Sequence, residues 1–283
     1  MKIYHKKNNL STHIDELKEK DKGIGLVPTM GALHEGHLSL VEKALSQNDI
    51  VIVSIFVNPT QFDNKEDLLK YPRTLQKDVA LLSTVSEKKI IVYAPNAEDI
   101  YGQKVISDAF TFDGLEYEME GAFRDGHFDG VGTIVKRLFE IVKPHKAYFG
   151  EKDYQQLQII KKLVELLDIP VRVIGCSIHR AVDGLAMSSR NTRLTNHHRE
   201  VAPFIYRTLK TAKIQFGTKS AKKVTEWVEK QFKMQPLLQL EYFTIADTST
   251  LKLVKRKSKE KTYRAFIAVY AGDIRLIDNI ALN

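Results

Sequence analysis

Gly25-Leu-Val-Pro-Thr-Met-Gly-Ala-Leu-His-Glu-Gly-His-Leu-Ser-Leu-Val41 is the stretch on which the reading of this chain turns. Its apolar start predicts a short buried strand over residues 24–27, stopped by a turn that holds Pro28 and Gly31. Apolar residues then recur at helical spacing (Leu38, Leu40, Val41, Ala44, Leu45), which predicts a helix over 38–47. A strand that breaks into a glycine turn and feeds a helix leaves N–H groups without intrahelical partners at the helix start. Together with the positive end of the helix dipole, such groups suit a phosphate. His34 and His37 stand three residues apart at that point, close enough on a helix to face the same way. The expected site is a rim of two imidazoles over a cup of free amides, suited to polyphosphate chemistry.

Outward from this stretch, strands and helices alternate through the first 178 residues. Asp49-Ile-Val-Ile-Val-Ser-Ile-Phe-Val57 is largely β-branched, as strands covered on both faces are. Further strands are predicted at 89–93, 146–149 and 171–176, with helices at 75–85, 131–143 and 153–167. The alternation predicts an α/β fold, a Rossmann-like parallel sheet flanked by helices over residues 1–178, with right-handed crossovers. Ligands on such sheets bind beyond the carboxyl ends of the strands. Past residue 180 come helices at 195–216 and 220–233, then strands at 240–247, 262–270 and 274–278. These predict a smaller C-terminal α+β lid domain over residues 179–283.

Composition narrows the function. With 283 residues the chain can bury a large core, and no apolar run approaches the roughly 20 residues needed to cross a bilayer. The basic N-terminus lacks a following apolar segment, so neither a secretory signal nor a membrane partner is expected. Cys176 is the single cysteine, which rules out an internal disulfide and fits a reducing, cytoplasmic setting. Part of the net charge of +8 falls in the lysine-rich stretch 252–261, which reads as a solvated hairpin tip. It has no interleaved aromatics, and no nucleic-acid partner is expected. There is no P-loop. His34-Glu-Gly-His37 also misses zincin spacing, its histidines being three apart, not four.

Other segments carry polar groups at strand ends and loops. Ala186-Met-Ser-Ser-Arg190 offers two hydroxyls and a guanidinium that could close on a triphosphate. In Phe149-Gly-Glu-Lys-Asp-Tyr-Gln-Gln156, Lys152 could neutralise a phosphate, and Asp153 or Gln156 could bind hydroxyls; Glu and Asp opening a helix also make an ordinary cap. Asn58 and Gln61, in Ser54-Ile-Phe-Val-Asn-Pro-Thr-Gln-Phe62, could hold a polar substrate, or form a plain Asn-Pro turn. Asp78 could seat Mg²⁺ against phosphates, or be a solvated helix residue. Gly121-Ala-Phe-Arg-Asp-Gly-His-Phe-Asp-Gly-Val131 could line the substrate cavity or a subunit contact.

Taken together, these motifs resemble the pantothenate synthetases (pantoate–β-alanine ligases) over nearly the whole chain, closing with Ala271-Gly-Asp-Ile-Arg-Leu-Ile-Asp-Asn279. The resemblance implies condensation of pantoate with β-alanine, with ATP converted to AMP and pyrophosphate through a pantoyl adenylate. It implies ATP contacts by Met30, His34, His37, Gly150, Glu151, Lys152, Asp153, Met187, Ser188, Ser189 and Arg190, with His179 beside the adenine. His37 would donate a proton to the departing phosphates and Lys152 would lie on them. Gln61 and Gln156 would hold pantoate, with Asn58 nearby, and Asp78 would help seat magnesium. A homodimer through the N-terminal domain is implied as well.

Two positions depart from the family pattern. Asp125 replaces the proline usual between Arg124 and Gly126, and His179 replaces a small apolar residue. The absence of a Ser or Cys triad fits an adenylate, not an acyl-enzyme. An adenylate must be kept from water, so residues 60–70 and the small domain are expected to close over the site. The rival readings are another H-x-G-H nucleotidylyltransferase, which would leave the adenylyl group on its product, and a noncatalytic nucleotide- or RNA-binding protein.

Overall fold

The computed structural model describes residues 1–62 and 65–283, which form two compact units. The first comprises Met1–Glu151 and Gln155–Ser177, the second Lys152–Tyr154 and Ile178–Asn283.

The first unit is built on six parallel strands: β1 (Lys2–Tyr4), β2 (Ile24–Thr29), β3 (Ile50–Ile55), β4 (Ile90–Tyr93), β5 (Lys146–Gly150) and β6 (Arg172–Cys176). Their order across the sheet is β1-β4-β3-β2-β5-β6, parallel throughout. Alternate residues point to opposite faces. Val27, Val51, Val53 and Val92 pack with Val41 and Ala44 of α2 (Glu35–Leu45) and Leu82 of α4 (Leu75–Ser83). α6 (His127–Val142) packs against both β2 and α1 (Lys7–Glu19). The chain runs β2, β3, β4 toward one edge and β5, β6 toward the other, so the topology reverses between β2 and β5, where ligands of such sheets bind. Direct pairing of β2 with β5 stops at Leu26↔Ala147, although each strand runs three residues further. The strands therefore part at their carboxyl ends.

In the second unit, β7 (Gln239–Asp247), β8 (Tyr263–Ala271) and β9 (Ile274–Ala281) form an antiparallel sheet. Ile245, Ala265, Ile267, Val269 and Leu276 of this sheet pack with Ile205, Leu209, Val224 and Val228 of α9 (Phe204–Thr218) and α10 (Ala221–Lys233).

The α/β sheet with a smaller α+β element matches the sequence expectation; several boundaries do not. β2 continues through Pro28 to Thr29, because at that level the strand pairs only with β3. The single helix expected over 195–216 is two, α8 (Asn196–Val201) and α9, since Pro203 has no N–H to carry a helix through. β1 and α1 went unread, although Leu10 and Ile14, four residues apart, are both buried on one helical face. The other helices are α3 (Lys65–Lys70), α5 (Ala97–Tyr101) and α7 (Tyr154–Leu166). Of the segment 60–70 expected to close, Asp63 and Asn64 lie outside the described residues. Among the described residues no helix is long and apolar enough to cross a membrane.

Candidate active site

At the carboxyl end of β2 the chain turns through two left-handed residues, Gly31 (φ 81°) and Ala32 (φ 50°). A side chain at Gly31 would also crowd Asp78 Oδ2, 3.0 Å from where its Cβ would stand. The left-handed alanine costs about 1–2 kcal/mol, and Asp78 offsets it. Asp78 is 2 % exposed and accepts from the amides of Ala32 (3.1 Å) and Leu33 (2.8 Å) and from the hydroxyl of Thr74 (3.2 Å). Such bonds to a carboxylate are the strong kind. Thr29 completes the turn: its hydroxyl donates to the Ser54 carbonyl and accepts from the Gly31 amide.

His34 is the N-cap of α2, and its Nδ1 accepts from the Gly36 amide at 3.1 Å. In that neutral ring the proton sits on Nε2. His37 lies in the first turn, its ring centroid 4.1 Å from that of His34. The two imidazoles thus stand together at the helix start, as their spacing implies. The cup of free amides is corrected: the N–H groups of Gly31, Ala32, Leu33 and Gly36 all have partners within the chain. The Thr29 hydroxyl, the Asp78 carboxylate and His34 Nδ1 satisfy them.

Beyond β3, residues Pro59–Gln61 form a 3-10 turn. Asn58 is 1 % exposed. Its Nδ2 donates to Gln61 Oε1 and to the Gly130 carbonyl, both at 3.2 Å, and its Oδ1 accepts from the hydroxyls of Thr60 and Tyr101. That uses both donors and both lone pairs of the amide. The half-buried Gln61 side chain is set between Asn58 and Met30, whose sulfur lies 3.1 Å from Nε2. Gly150 ends β5 beside Cys176, and the half-buried Glu151 follows it. Gln156 is half-buried on α7. Its neighbour Gln155, which sequence reasoning passed over, is buried and ties down the carbonyls of Leu115 and Glu118 and the amide of Glu120.

In the second unit, the Lys152 carbonyl accepts from Asn279 Nδ2 at 2.9 Å, and Lys152 Nζ lies 3.6 Å from the exposed Asp153. Asn279 Oδ1 accepts in turn from Arg264, whose guanidinium covers the Tyr154 ring. Next to it, Asp278 receives two bonds from Arg180, at 2.6 and 2.8 Å, and Arg180 stacks on Tyr206. Burial pushes the Asp278 carboxyl up, and Arg180 opposes that shift. Sequence reasoning gives Asn279 and Arg180 no structural task; the partners each meets, Lys152 and Asp278, lie about a hundred or more residues away in the chain.

The loop after Arg180 brings Ser188, Ser189 and Arg190 into a 3-10 turn, with the Ser188 hydroxyl accepting from the Arg190 amide. Met187, Ser188, Ser189 and Arg190 are all half-buried. Lys152, Ala186, Ser188, Asn191 and Asp278 line a small cleft of this unit. The His179 side chain is exposed, and its carbonyl accepts from the Met187 amide. The departure at this position therefore leaves the backbone ladder of the loop intact.

The family model described as pantoate-beta-alanine ligase matches residues 2–281. The chain belongs to the pantoate–β-alanine ligase family. Within that family of ligases, it is 59 % identical to the pantothenate synthetase of Christiangramia forsetii over 283 residues, all of both chains. The crystal structure of pantothenate synthetase from Thermus thermophilus matches with a TM-score of 0.91 at 37 % identity, covering 100 % of this chain and 99 % of that one. The Francisella tularensis pantoate–β-alanine ligase, solved in complex with beta-gamma ATP and β-alanine, matches with a TM-score of 0.79 at 36 % identity, covering 100 % and 98 %.

Proposed function

We propose that this chain joins pantoate to β-alanine at the expense of ATP, by way of a pantoyl adenylate. The observation that carries the mechanism is the His34–His37 pair at the start of α2, on a turn fixed by Asp78 at the topological reversal of a parallel sheet. A carboxylate is a poor acceptor of an amine until it is activated. In the first step a pantoate carboxylate oxygen attacks the α-phosphorus, the bond from that phosphorus to the bridging oxygen breaks, and pyrophosphate leaves. Preorganised donors aimed at the leaving oxygens lower the barrier to that step. His37 supplies one and gives its proton as charge develops, with His34 beside it; Lys152 supplies a cation. In the second step the β-alanine amine attacks the acyl carbon, AMP leaves, and the nitrogen loses its proton.

The remaining assignments follow the same reading. From the first unit, Met30, Gly150 and Glu151 contact ATP with the histidines, and Gln61 and Gln156 hold pantoate. Asn58, its amide fully engaged, serves by orienting Gln61. From the second unit, Asp153, His179, Met187, Ser188, Ser189 and Arg190 contact the nucleotide. Magnesium neutralises charge on the phosphates when bound. Asp78 is 2 % exposed and its oxygens already accept from Ala32, Leu33 and Thr74, so it would help seat the ion by holding the histidine turn and not as a direct ligand. Among the described residues no three acidic, histidine or cysteine side chains gather, so phosphate and water would have to supply most of its ligands. A cytoplasmic homodimer completes the proposal, with sedimentation as its check.

Rapid quench of the protein with ATP, magnesium and pantoate, without β-alanine, tests the scheme. Pyrophosphate should appear at up to one equivalent per site, with a species of pantoyl-adenylate mass. Pyrophosphate that forms only when β-alanine is added would overturn the two-step order, and a stable adenylylated product in place of free AMP would favour a nucleotidylyltransferase.

A further inference from the structure

We propose that Arg124 and His127 are positioning residues for the acid substrate, fixing the main-chain carbonyl of Gln61 and through it the direction of the Gln61 side-chain amide. The inference rests on the reading of Gln61 as a pantoate-binding residue.

The geometry lies wholly within the first unit. His127 opens α6 and is 8 % exposed. Its Nδ1 donates to the Gln61 carbonyl at 2.8 Å, and Arg124 donates to the same oxygen at 3.2 Å. A second nitrogen of Arg124 donates to His127 Nε2 at 3.3 Å. That fixes the imidazole as the neutral tautomer with its proton on Nδ1, the form that can serve the carbonyl. One donor satisfies a buried carbonyl; two donors that also bind each other form a closed triangle and set its direction.

The same helix start grips the turn twice more. The Gly130 carbonyl accepts from Asn58 Nδ2, whose other hydrogen bond goes to Gln61 Oε1. Gly130 itself meets the Thr60 carbonyl so closely that a Cβ there would stand 2.2 Å from that oxygen. Gln61 is thus held by its backbone from Arg124 and His127 and by its side chain from Asn58. The stretch 121–131, whose sequence left cavity lining and subunit contact undivided, gains a definite task. The departure from the family pattern falls on Asp125, which is exposed between Arg124 and a left-handed Gly126 (φ 68°), so the triangle is kept.

The test separates positioning from simple stability. His127→Asn keeps a donor near the place of Nδ1; His127→Phe keeps bulk and loses it. Steady-state assays should show His127→Phe raising KM for pantoate about tenfold or more, as expected when a binding group shifts by an ångström, with KM for ATP within about twofold. His127→Asn should restore most of the pantoate KM, and Arg124→Met should shift it in the same direction as His127→Phe. An unchanged pantoate KM in both His127→Phe and Arg124→Met would overturn the proposal, as would equal rises in both KM values without rescue by asparagine. Should His127→Phe fail to fold, the Arg124→Met and His127→Asn pair decides alone. Gln61→Ala provides the separate control: if it leaves the pantoate KM unchanged, the parent reading of Gln61 has failed, whatever the other variants do.

Discussion

The two units of this chain differ sharply in charge. The first holds 22 Lys and Arg against 25 Asp and Glu, a formal −3; the second holds 21 against 10, a formal +11, which accounts for the chain's +8. The difference parallels how each unit is organised. The first arranges polar groups by neutral and carboxylate hydrogen bonds at strand ends: Asp78 under its loop, Asn58 under Gln61. The second is rich in cations and holds the buried ion pair Arg180–Asp278. A polyanionic substrate is attracted by the field of such charges over distances near the Debye length, about 8–10 Å in ordinary salt. On the proposed reading of Gln61 and Gln156, orientation of the reacting acid falls to the first unit.

The largest effect should come from breaking the second unit's ion pair. Arg180→Met leaves Asp278 buried without its guanidinium and should cost about 3–5 kcal/mol of stability, read from denaturant unfolding. A loss under about 1 kcal/mol would mean that the unit is held by its apolar core alone. In the first unit, His37→Ala should leave the fold intact while removing about 2.7–4 kcal/mol of transition-state stabilisation, seen as a fall in turnover in an AMP-coupled assay. If turnover is unchanged, the catalytic work has been placed in the wrong unit.

Much of this division could be read from residues alone, for physical reasons. The β-branched run within 49–57 and the helical spacing after His37 are local signals; both elements formed, the strand at Ile50–Ile55 and the helix at Glu35–Leu45, which starts three residues before the apolar spacing does. The partners of the loop amides could not be read. Asp78 lies 45 residues from Leu33, and only the packing of α4 beneath the turn brings them together. Asn279 and Lys152, 127 residues apart, meet for the same kind of reason. Pattern reading finds what neighbours in sequence dictate, whereas a buried hydrogen bond joins whatever the fold delivers to it.

Two smaller effects sharpen the contrast. Asp78→Asn preserves shape but places an NH₂ group against one of two amides, a loss of about 1–3 kcal/mol for an unsatisfied buried donor. Turnover should fall along with melting temperature, and an unchanged melting curve would show that the turn does not depend on the carboxylate. The smallest effect is acid sensitivity at Asp247. Burial opposes ionisation there, but the Thr250 and Ser249 amides and Lys261 outweigh it and hold the carboxyl below its ordinary 3.8. A depressed value in the folded state means that stability is present above pH 3.8 and lost as pH falls through the lower folded value. Asp247→Asn should remove that part of the acid dependence in melting experiments run from about pH 5 downward past the ordinary carboxylate value.

The close approach of Gly130 to the Thr60 carbonyl limits how this enzyme could be retailored. With no gap between helix and turn, and with Gln61 proposed to hold pantoate, the backbone behind it has nowhere to retreat when a bulkier acid is offered. Room for new substrates must be gained by trimming side chains on the open side, while substitutions behind the turn would cost folding before they widened selectivity.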